Sequence, residues 1–141
     1  METVNIYLSG SMSGVSFEEQ SKWRQQIIDA IKFNYECEKK PVFFNPVSYF
    51  NFEEVRYKSQ REVMNFDLNG LRKANLVIVN FNDPSSLGTC AELAIAYDMK
   101  IPIVGINKDG KELHPWLECF CDRMCQSIKE AVEYVVDFYL N

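Results

Sequence analysis

Residues 75–81 read Asn-Leu-Val-Ile-Val-Asn-Phe, and this is the stretch that decides the fold. Near-continuous apolar character of this kind is typical of a parallel strand that is covered by helices on both faces. A turn at residues 82–84 (Asn-Asp-Pro) follows it, and residues 87–99 then have the composition of a helix. The centre of the chain therefore predicts a strand, a turn and a helix, which together form the repeating unit of an α/β sheet.

The same alternation extends in both directions from this segment. Short apolar stretches predict further strands at residues 4–8, 41–45 and 101–106. Serines that precede apolar residues at helical spacing predict further helices after Ser16, Ser59 and Ser127. Strands that alternate with helices imply a mostly parallel sheet with right-handed crossovers, and we expect residues 1–141 to form a single domain.

Composition and charge narrow the class of protein. The chain has 141 residues, 47% of them hydrophobic and 25% charged, with a net charge of -5 at pH 7. An acidic protein repels polymeric nucleic acid, but a few backbone amides can still hold one small anionic ligand. The sequence shows no signal peptide and no apolar run long enough to span a bilayer, so we expect a cytoplasmic protein without membrane contact.

Five cysteines raise the question of disulfides or zinc. An odd number of cysteines and no secretion signal argue against a disulfide framework. Cys119, Cys121 and Cys125 lie close together with His114 upstream, but the spacing between the first two is shorter than a zinc knuckle requires. We therefore expect buried or semi-buried free thiols, no metal site and no cofactor.

Ligands of such sheets bind at the carboxyl ends of the strands, so the loops that follow the strands are the candidate site. The first loop contains Gly10, Ser11 and Gly14, whose backbone and hydroxyl groups suit an anion. Many ordinary strand-to-helix turns have the same composition, so a purely structural role remains open. Tyr49 and Phe50 follow the second strand and either stack on a ligand or belong to the core.

Two carboxylates are candidates for chemistry. Glu92 falls near the start of a predicted helix among small residues, and a carboxylate there either complements the helix dipole or serves as a nucleophile. Asp67 lies within the helix that precedes the strand at 75–81, where aspartate has poor intrinsic propensity. Asp67 therefore either faces solvent or has a specific partner.

Taken together, these segments resemble the nucleoside 2-deoxyribosyltransferase family, which includes the deoxynucleoside 5′-monophosphate N-glycosidases. The resemblance rests on residues 6–11 (Ile-Tyr-Leu-Ser-Gly-Ser), residues 67–71 (Asp-Leu-Asn-Gly-Leu) and residues 86–93 (Ser-Leu-Gly-Thr-Cys-Ala-Glu-Leu). It covers roughly residues 4–107. It implies a flavodoxin-like three-layer sandwich with a central, mostly parallel five-stranded sheet, and a homodimer or higher homo-oligomer in which a neighbouring subunit completes the site.

The resemblance also implies roles for individual residues. Glu92 matches the nucleophile that attacks C1′, Asp67 a carboxylate near the base and sugar, and Tyr7 a tyrosine that orients the nucleophile. Other residues of the carboxyl-end loops are expected to bind a small nucleoside or nucleotide: Gly10, Ser11, Gly14, Asn45, Ser86 and Gly88.

Two positions bear on the substrate. Ser86 stands where the transferases that act on free nucleosides tend to have an acidic residue, and a hydroxyl there can donate to a phosphate that a carboxylate would repel. Ser13 stands where the monophosphate N-glycosidases tend to have an arginine, which weakens the case for tight phosphate binding.

Three interpretations remain open at this point. The leading one is an enzyme that forms a glycosyl-Glu92 intermediate, with water as acceptor in a hydrolase and a second base in a transferase. A second is a nucleotide-binding sensor or regulatory module without chemistry, because fold alone never proves activity. A third is a flavin or redox protein, which the absence of a C-x-x-C motif disfavours.

Overall fold

The structure is a computed structural model that describes residues 1–12, 14–49 and 57–141. The expectations for Ser13 and Phe50 concern residues outside this described part.

The centre of the molecule is a five-stranded sheet in which every strand pairs in parallel with its neighbours. Its strands are β1 (Thr3–Gly10), β2 (Lys40–Phe44), β3 (Leu76–Asn80), β4 (Ile103–Ile106) and β5 (Arg123–Cys125). Their order across the sheet is β2-β1-β3-β4-β5. This is the flavodoxin-like order, and it confirms the predicted fold class. The four strands expected from local sequence are found within two residues of their predicted ends.

In the described residues five α-helices flank the sheet: α1 (Phe17–Asn34), α2 (Gln60–Arg72), α3 (Leu87–Asp98), α4 (Pro115–Phe120) and α5 (Ile128–Tyr139). A short 3-10 helix, Pro46–Ser48, follows β2. Ser16, Ser59 and Ser127 cap α1, α2 and α5 as predicted, because each hydroxyl accepts a hydrogen bond from a backbone N–H in the first turn. At α2 the capping box is complete, since the Glu62 side chain also accepts from the backbone of Ser59. No helix in the described ranges is both long and apolar enough to cross a membrane.

Two separate hydrophobic cores lie on the two faces of the sheet. One core packs α1 and α5 against the sheet, with Trp23, Ile27 and Val132 among its buried residues. The other core packs α2, α3 and α4 against the opposite face, through residues such as Leu71 and Leu93. Successive residues of β1 contribute to alternate cores, as the strand pleat requires. The result is the three-layer sandwich.

Local sequence did not locate α4 or β5. Both are short, and Pro115 begins α4 behind a His114 cap, so neither gives a clear periodic signal. The cysteines of this region differ in exposure: Cys125 is buried, Cys121 is half-buried and Cys119 is exposed, the last against our expectation. All five cysteines are free thiols, and the described residues contain no cluster of side chains suited to a metal ion.

Candidate active site

The candidate site lies between β1 and β3. From β1 the chain continues to β2 on one side of the sheet, and from β3 it continues to β4 on the other side. β1 is the central partner of both β2 and β3, while α1 leaves β1 on one face and α3 leaves β3 toward the other. Their connections therefore diverge and open a crevice at the carboxyl ends of β1 and β3.

Glu92 lies in the second turn of α3 and faces the carboxyl-terminal half of β1. Its residue surface is half-buried, but its Oε2 atom is fully buried, as are Tyr7 Oη and Ser9 Oγ. Among the described residues none of these three oxygens has a hydrogen-bond partner of good geometry. Buried polar atoms without such partners are uncommon in proteins, so these three mark this place as a candidate functional site.

The environment of Glu92 makes it harder to ionise than an ordinary carboxyl group. Burial raises the pKa of Glu92 to about 7, and the neighbouring charge of Asp67 acts in the same direction. The hydroxyls of Tyr7 and Ser9 and the charge of Arg24 oppose this rise in pKa. A carboxyl group with a pKa near neutrality is characteristic of functional sites.

Tyr7 stays protonated and available as a donor. It is fully buried in β1, and burial together with the charges of Glu92 and Asp67 raises the pKa of its hydroxyl far above the usual range. Its ring stacks on Phe44 of β2, with the ring centroids 5.2 Å apart and the planes 12° from parallel. Packing therefore holds the hydroxyl in a fixed direction beside Glu92.

Asp67 lies in α2 and is half-buried, with its Oδ1 atom buried and lacking a hydrogen-bond partner within the described residues. Burial raises the pKa of Asp67 to about 6, while Arg24 acts to lower it. The alternative that Asp67 simply faces solvent is wrong. The structure brings Asp67, Glu92 and Tyr7 together, since Asp67 influences the titration of both other groups.

An aromatic cluster extends from Tyr7 toward the surface. Phe44 stacks on Tyr7 on one side and on Tyr49 on the other, with 5.2 Å between the centroids of Phe44 and Tyr49. Tyr49 is 55% exposed and also contacts Phe66. Tyr49 is therefore a surface residue packed on the cluster rather than part of the core. Gly70 of α2 makes room for Phe44, because a Cβ on Gly70 would lie 2.4 Å from the Phe44 ring.

The loop between β3 and α3 forms another wall of the crevice. Ser86 caps α3, and its Oγ accepts hydrogen bonds from the backbone N–H and the hydroxyl of Thr89, so the Ser86 proton is free to donate elsewhere. Gly88 faces open space. Asn82 joins this loop to the first one, because its Oδ1 accepts from the Ser11 N–H at 3.1 Å. The Lys111 ammonium donates to the Asn82 carbonyl and ties in the β4–α4 loop.

The remaining predicted residues have local structural roles. Gly10 is needed because a Cβ there would lie 2.6 Å from the Trp23 ring, and Gly14 adopts the left-handed φ of 75°. Asn45 accepts a hydrogen bond from the Val47 N–H at 3.1 Å and lines a groove between α1 and β2, on the α1 side of the sheet. The geometry therefore does not group Asn45 with Glu92.

Sequence reasoning missed Arg24, Ser9 and Asn82. Arg24 is fully buried, which is rare for an arginine. Its signal was available, since it lies three residues before Ile27 within the apolar stripe of α1. Ser9 and Asn82 close β1 and follow β3, so the carboxyl-end rule already included their loops, although it did not single them out.

One family profile and several solved structures match this chain. The profile is described as "Nucleoside 2-deoxyribosyltransferase like" and matches residues 3–110. No curated protein sequence matches significantly.

Three of the similar solved structures illustrate the range of sequence identity, coverage and TM-score. A 2-deoxyribosyltransferase from Bacillus psychrosaccharolyticus is 16% identical, with 93% of this chain and 92% of that chain covered and a TM-score of 0.70. A 2-deoxyribosyltransferase from Leishmania mexicana is 16% identical, with coverage of 97% and 99% and a TM-score of 0.65. A CMP N-glycosidase from Clostridium botulinum is 17% identical, with coverage of 96% and 99% and a TM-score of 0.57. At these identities the likeness shows a shared fold.

Proposed function

Because the chain belongs to the nucleoside 2-deoxyribosyltransferase-like family, we propose that it breaks the N-glycosidic bond of a 2′-deoxynucleoside or its 5′-monophosphate, with Glu92 as the nucleophile. The observation that carries this proposal is the buried carboxyl oxygen of Glu92, which lies beside Tyr7, Ser9 and Asp67 without a good hydrogen-bond partner in the described residues. The proposed chemistry uses only groups of the chain itself.

In the first half of the reaction, an ionised Glu92 oxygen bonds to C1′ as the bond from C1′ to the base nitrogen breaks. The bonding electrons leave with the base, and a proton from Asp67 neutralises it. Burial raises the pKa of Asp67 to about 6, which keeps a fraction of this group protonated near neutrality and makes it a better proton donor than an exposed aspartate. Tyr7 donates toward Glu92 and directs the attacking oxygen.

In the second half, an acceptor attacks C1′ and releases Glu92. With water as acceptor, Asp67 removes a proton from the water, the C1′–O bond forms and the ester bond breaks, so both carboxyl groups return to their starting states. With a second base as acceptor, its ring nitrogen bonds to C1′ as the ester bond breaks, its N–H proton passes to Asp67, and the product is a new nucleoside or nucleotide. The monophosphate hydrolase is supported by Ser86, which caps α3 after the carboxyl end of β3 and whose O–H can donate to a 5′-phosphate.

We further propose that residues 1–141 act as one domain in the cytoplasm, as a homodimer or higher homo-oligomer. Large apolar side chains on α3 and α4 support the assembly, because Leu87 is 83% exposed and Trp116 is 70% exposed. Size-exclusion chromatography with light scattering tests it, and a monomer at micromolar concentration would contradict it.

The experiment that tests the function is base release from a panel of nucleosides and 5′-monophosphates, with and without an acceptor base, followed by chromatography. Free base from monophosphates alone supports the hydrolase, and base exchange supports the transferase. E92A should abolish turnover, whereas E133A, which removes an exposed carboxylate from α5, should not. Mass spectrometry of acid-quenched enzyme should show a glycosyl adduct on the peptide that contains Glu92.

No base release from folded protein, combined with nucleotide binding, would overturn the proposal in favour of a sensor. Full activity in E92A would remove Glu92 as the nucleophile.

A further inference from the structure

Arg24 is the one fully buried charged side chain of the described residues, and its contacts are unusual. Its guanidinium donates to the carbonyls of Leu8 at 3.3 Å and Gly10 at 3.2 Å, both in β1, and to the carbonyl of Gln20 in its own helix at 2.8 Å. It also lies 4.5 Å from the centroid of the Trp23 ring. No carboxylate of the described residues forms a salt bridge with it.

The contacts with β1 occur where that strand has an open edge. β1 pairs with β2 only as far as Tyr7, whereas it pairs with β3 as far as Gly10. The last residues of β1 therefore extend beyond the end of β2. The Arg24 guanidinium supplies hydrogen-bond donors to this extension, and the extension carries Ser9, two residues after Tyr7 and therefore on the same face of the strand.

We propose that Arg24 is a positioning residue of the Glu92 site: it fixes the end of β1 that presents Tyr7 and Ser9, and it supplies the buried positive charge that balances the ionised nucleophile. This inference rests on the proposed function for its link to turnover. Its effect on the ionisation of Glu92 stands independently of turnover.

Two carboxyl groups and a tyrosine hydroxyl lie close to one another in the site, and Arg24 supplies the positive charge that acts on them. Glu92 faces the site from α3, Asp67 from α2 and Tyr7 from β1, and the charge of Arg24 acts on all three. It lowers the pKa of both carboxyl groups, against the rise that burial causes. Burial lowers the pKa of Arg24 itself to about 10, so it remains protonated at neutral pH.

A lysine would not replace this arginine fully. The planar guanidinium reaches three carbonyls at once, whereas an ammonium is a single point of charge on a flexible stem. Substitution can therefore separate the two roles: R24Q keeps an amide donor and loses the charge, while R24K keeps the charge and loses the fork. R72Q is the matched control, because Arg72 is exposed in the last turn of α2, ahead of the amino end of β3.

The experiment measures two quantities in each folded variant: the titration of Glu92 by carboxyl-carbon NMR, and the pH profile of kcat/KM for base release. In R24Q the Glu92 titration should move to higher pH, and kcat/KM at pH 6 should fall roughly tenfold or more, with partial recovery at higher pH. In R24K the Glu92 titration should stay near that of the wild type, while kcat falls. R72Q should match the wild type in both.

Several results would overturn the proposal. If Glu92 titrates in folded R24Q as it does in the wild type, Arg24 does not balance its charge. If R24K keeps wild-type kcat, the fork does not position β1. If R24Q does not fold, R24K is the test. Slower turnover in R24K, with Glu92 titrating as in the wild type, supports the proposal, and wild-type kinetics refute it. If the wild type releases no base, the proposed function fails. The effect of Arg24 on Glu92 is then tested by the Glu92 titration alone.

Discussion

The burial of Glu92 should make the folded protein less stable at high pH, and E92Q should remove this effect. The folded pKa of Glu92 is about 7 against an ordinary value of 4.5, because burial disfavours the charged form. The folded state thus binds a proton that the unfolded chain has already released between these two pH values. Stability from this group is fully present below pH 4.5 and is lost as pH rises through about 7.

The size of the effect follows from the two pKa values. At 1.36 kcal/mol for each pKa unit, the difference between 4.5 and about 7 corresponds to roughly 3 kcal/mol of unfolding free energy. Glutamine has nearly the same shape and never ionises. Its amide must itself be accommodated among buried polar atoms, which reduces the gain, so E92Q should be about 1–3 kcal/mol more stable than the wild type at pH 8.

The assay is urea unfolding of the wild type and E92Q at pH 5 and pH 8. The wild type should lose stability between these pH values, and E92Q should lose less. The advantage of E92Q over the wild type should be smaller at pH 5 than at pH 8, because folded Glu92 is still protonated at pH 5. E133Q is the control, since Glu133 is exposed and its replacement should not change the pH dependence.

One result would refute this reasoning. If E92Q is no more stable than the wild type at pH 8, or if both lose the same stability between pH 5 and pH 8, Glu92 is not held in an unfavourable environment. Its proposed role as a buried nucleophile would then lose its physical basis.

Further predictions concern three other positions. D67N should lower the Glu92 pKa by removing a neighbouring negative charge, shifting the acidic limb of the pH profile of kcat/KM downward, and should reduce kcat by about 10²–10⁴ through loss of the proton donor. G70A should destabilise the fold by about 1–3 kcal/mol in urea unfolding, because its Cβ would collide with Phe44. S86D keeps a good helix cap but should raise KM for a 5′-monophosphate by about tenfold or more, leaving free nucleosides less affected.

Each of these predictions has its own check. An unchanged rate and pH profile in D67N would exclude Asp67 as the proton donor. G88A is the control for G70A, since a Cβ at Gly88 meets no atom within 4 Å, and equal stabilities of the two variants would contradict the steric argument. For S86D, an equal rise in KM for both substrate classes would show that Ser86 does not face the 5′ end.

Local patterns in the sequence predicted the fold well because the parallel strands are buried on both faces. Such strands read as continuous apolar runs, and capping serines marked the starts of α1, α2 and α5. β5 escaped prediction because its three residues lie at the edge of the sheet, where one strand neighbour and partial burial leave little pattern. α4 escaped prediction as well, because its 6 residues are too few to show a helical pattern.

The candidate site could be predicted only in part. Glu92 and Asp67 were singled out by their positions, the resemblance supplied their roles and added Tyr7, and the structure brings the three together. Arg24 was missed because arginines are rarely buried, so its place on the apolar stripe of α1 did not by itself mark it as a site residue. Asn45 was grouped with the site because it follows β2, yet its side chain caps a short local turn. A residue's position at the end of a strand predicts which loops lie near it, but the direction of its side chain depends on tertiary packing.

The interior position of β1, between β2 and β3, has a consequence for how the protein folds. Its partner β3 lies about seventy residues later in the chain, as the hydrogen bond between Asn5 and Asn75 illustrates. Non-local pairing of this kind slows folding, and an interior strand that lacks one of its partners is prone to associate with other chains. During synthesis β1 therefore lacks one strand partner until β3 has left the ribosome, and Tyr7 lacks its neighbour Glu92 until α3 has followed. A truncated chain that ends before β3 should aggregate rather than fold into half of a site.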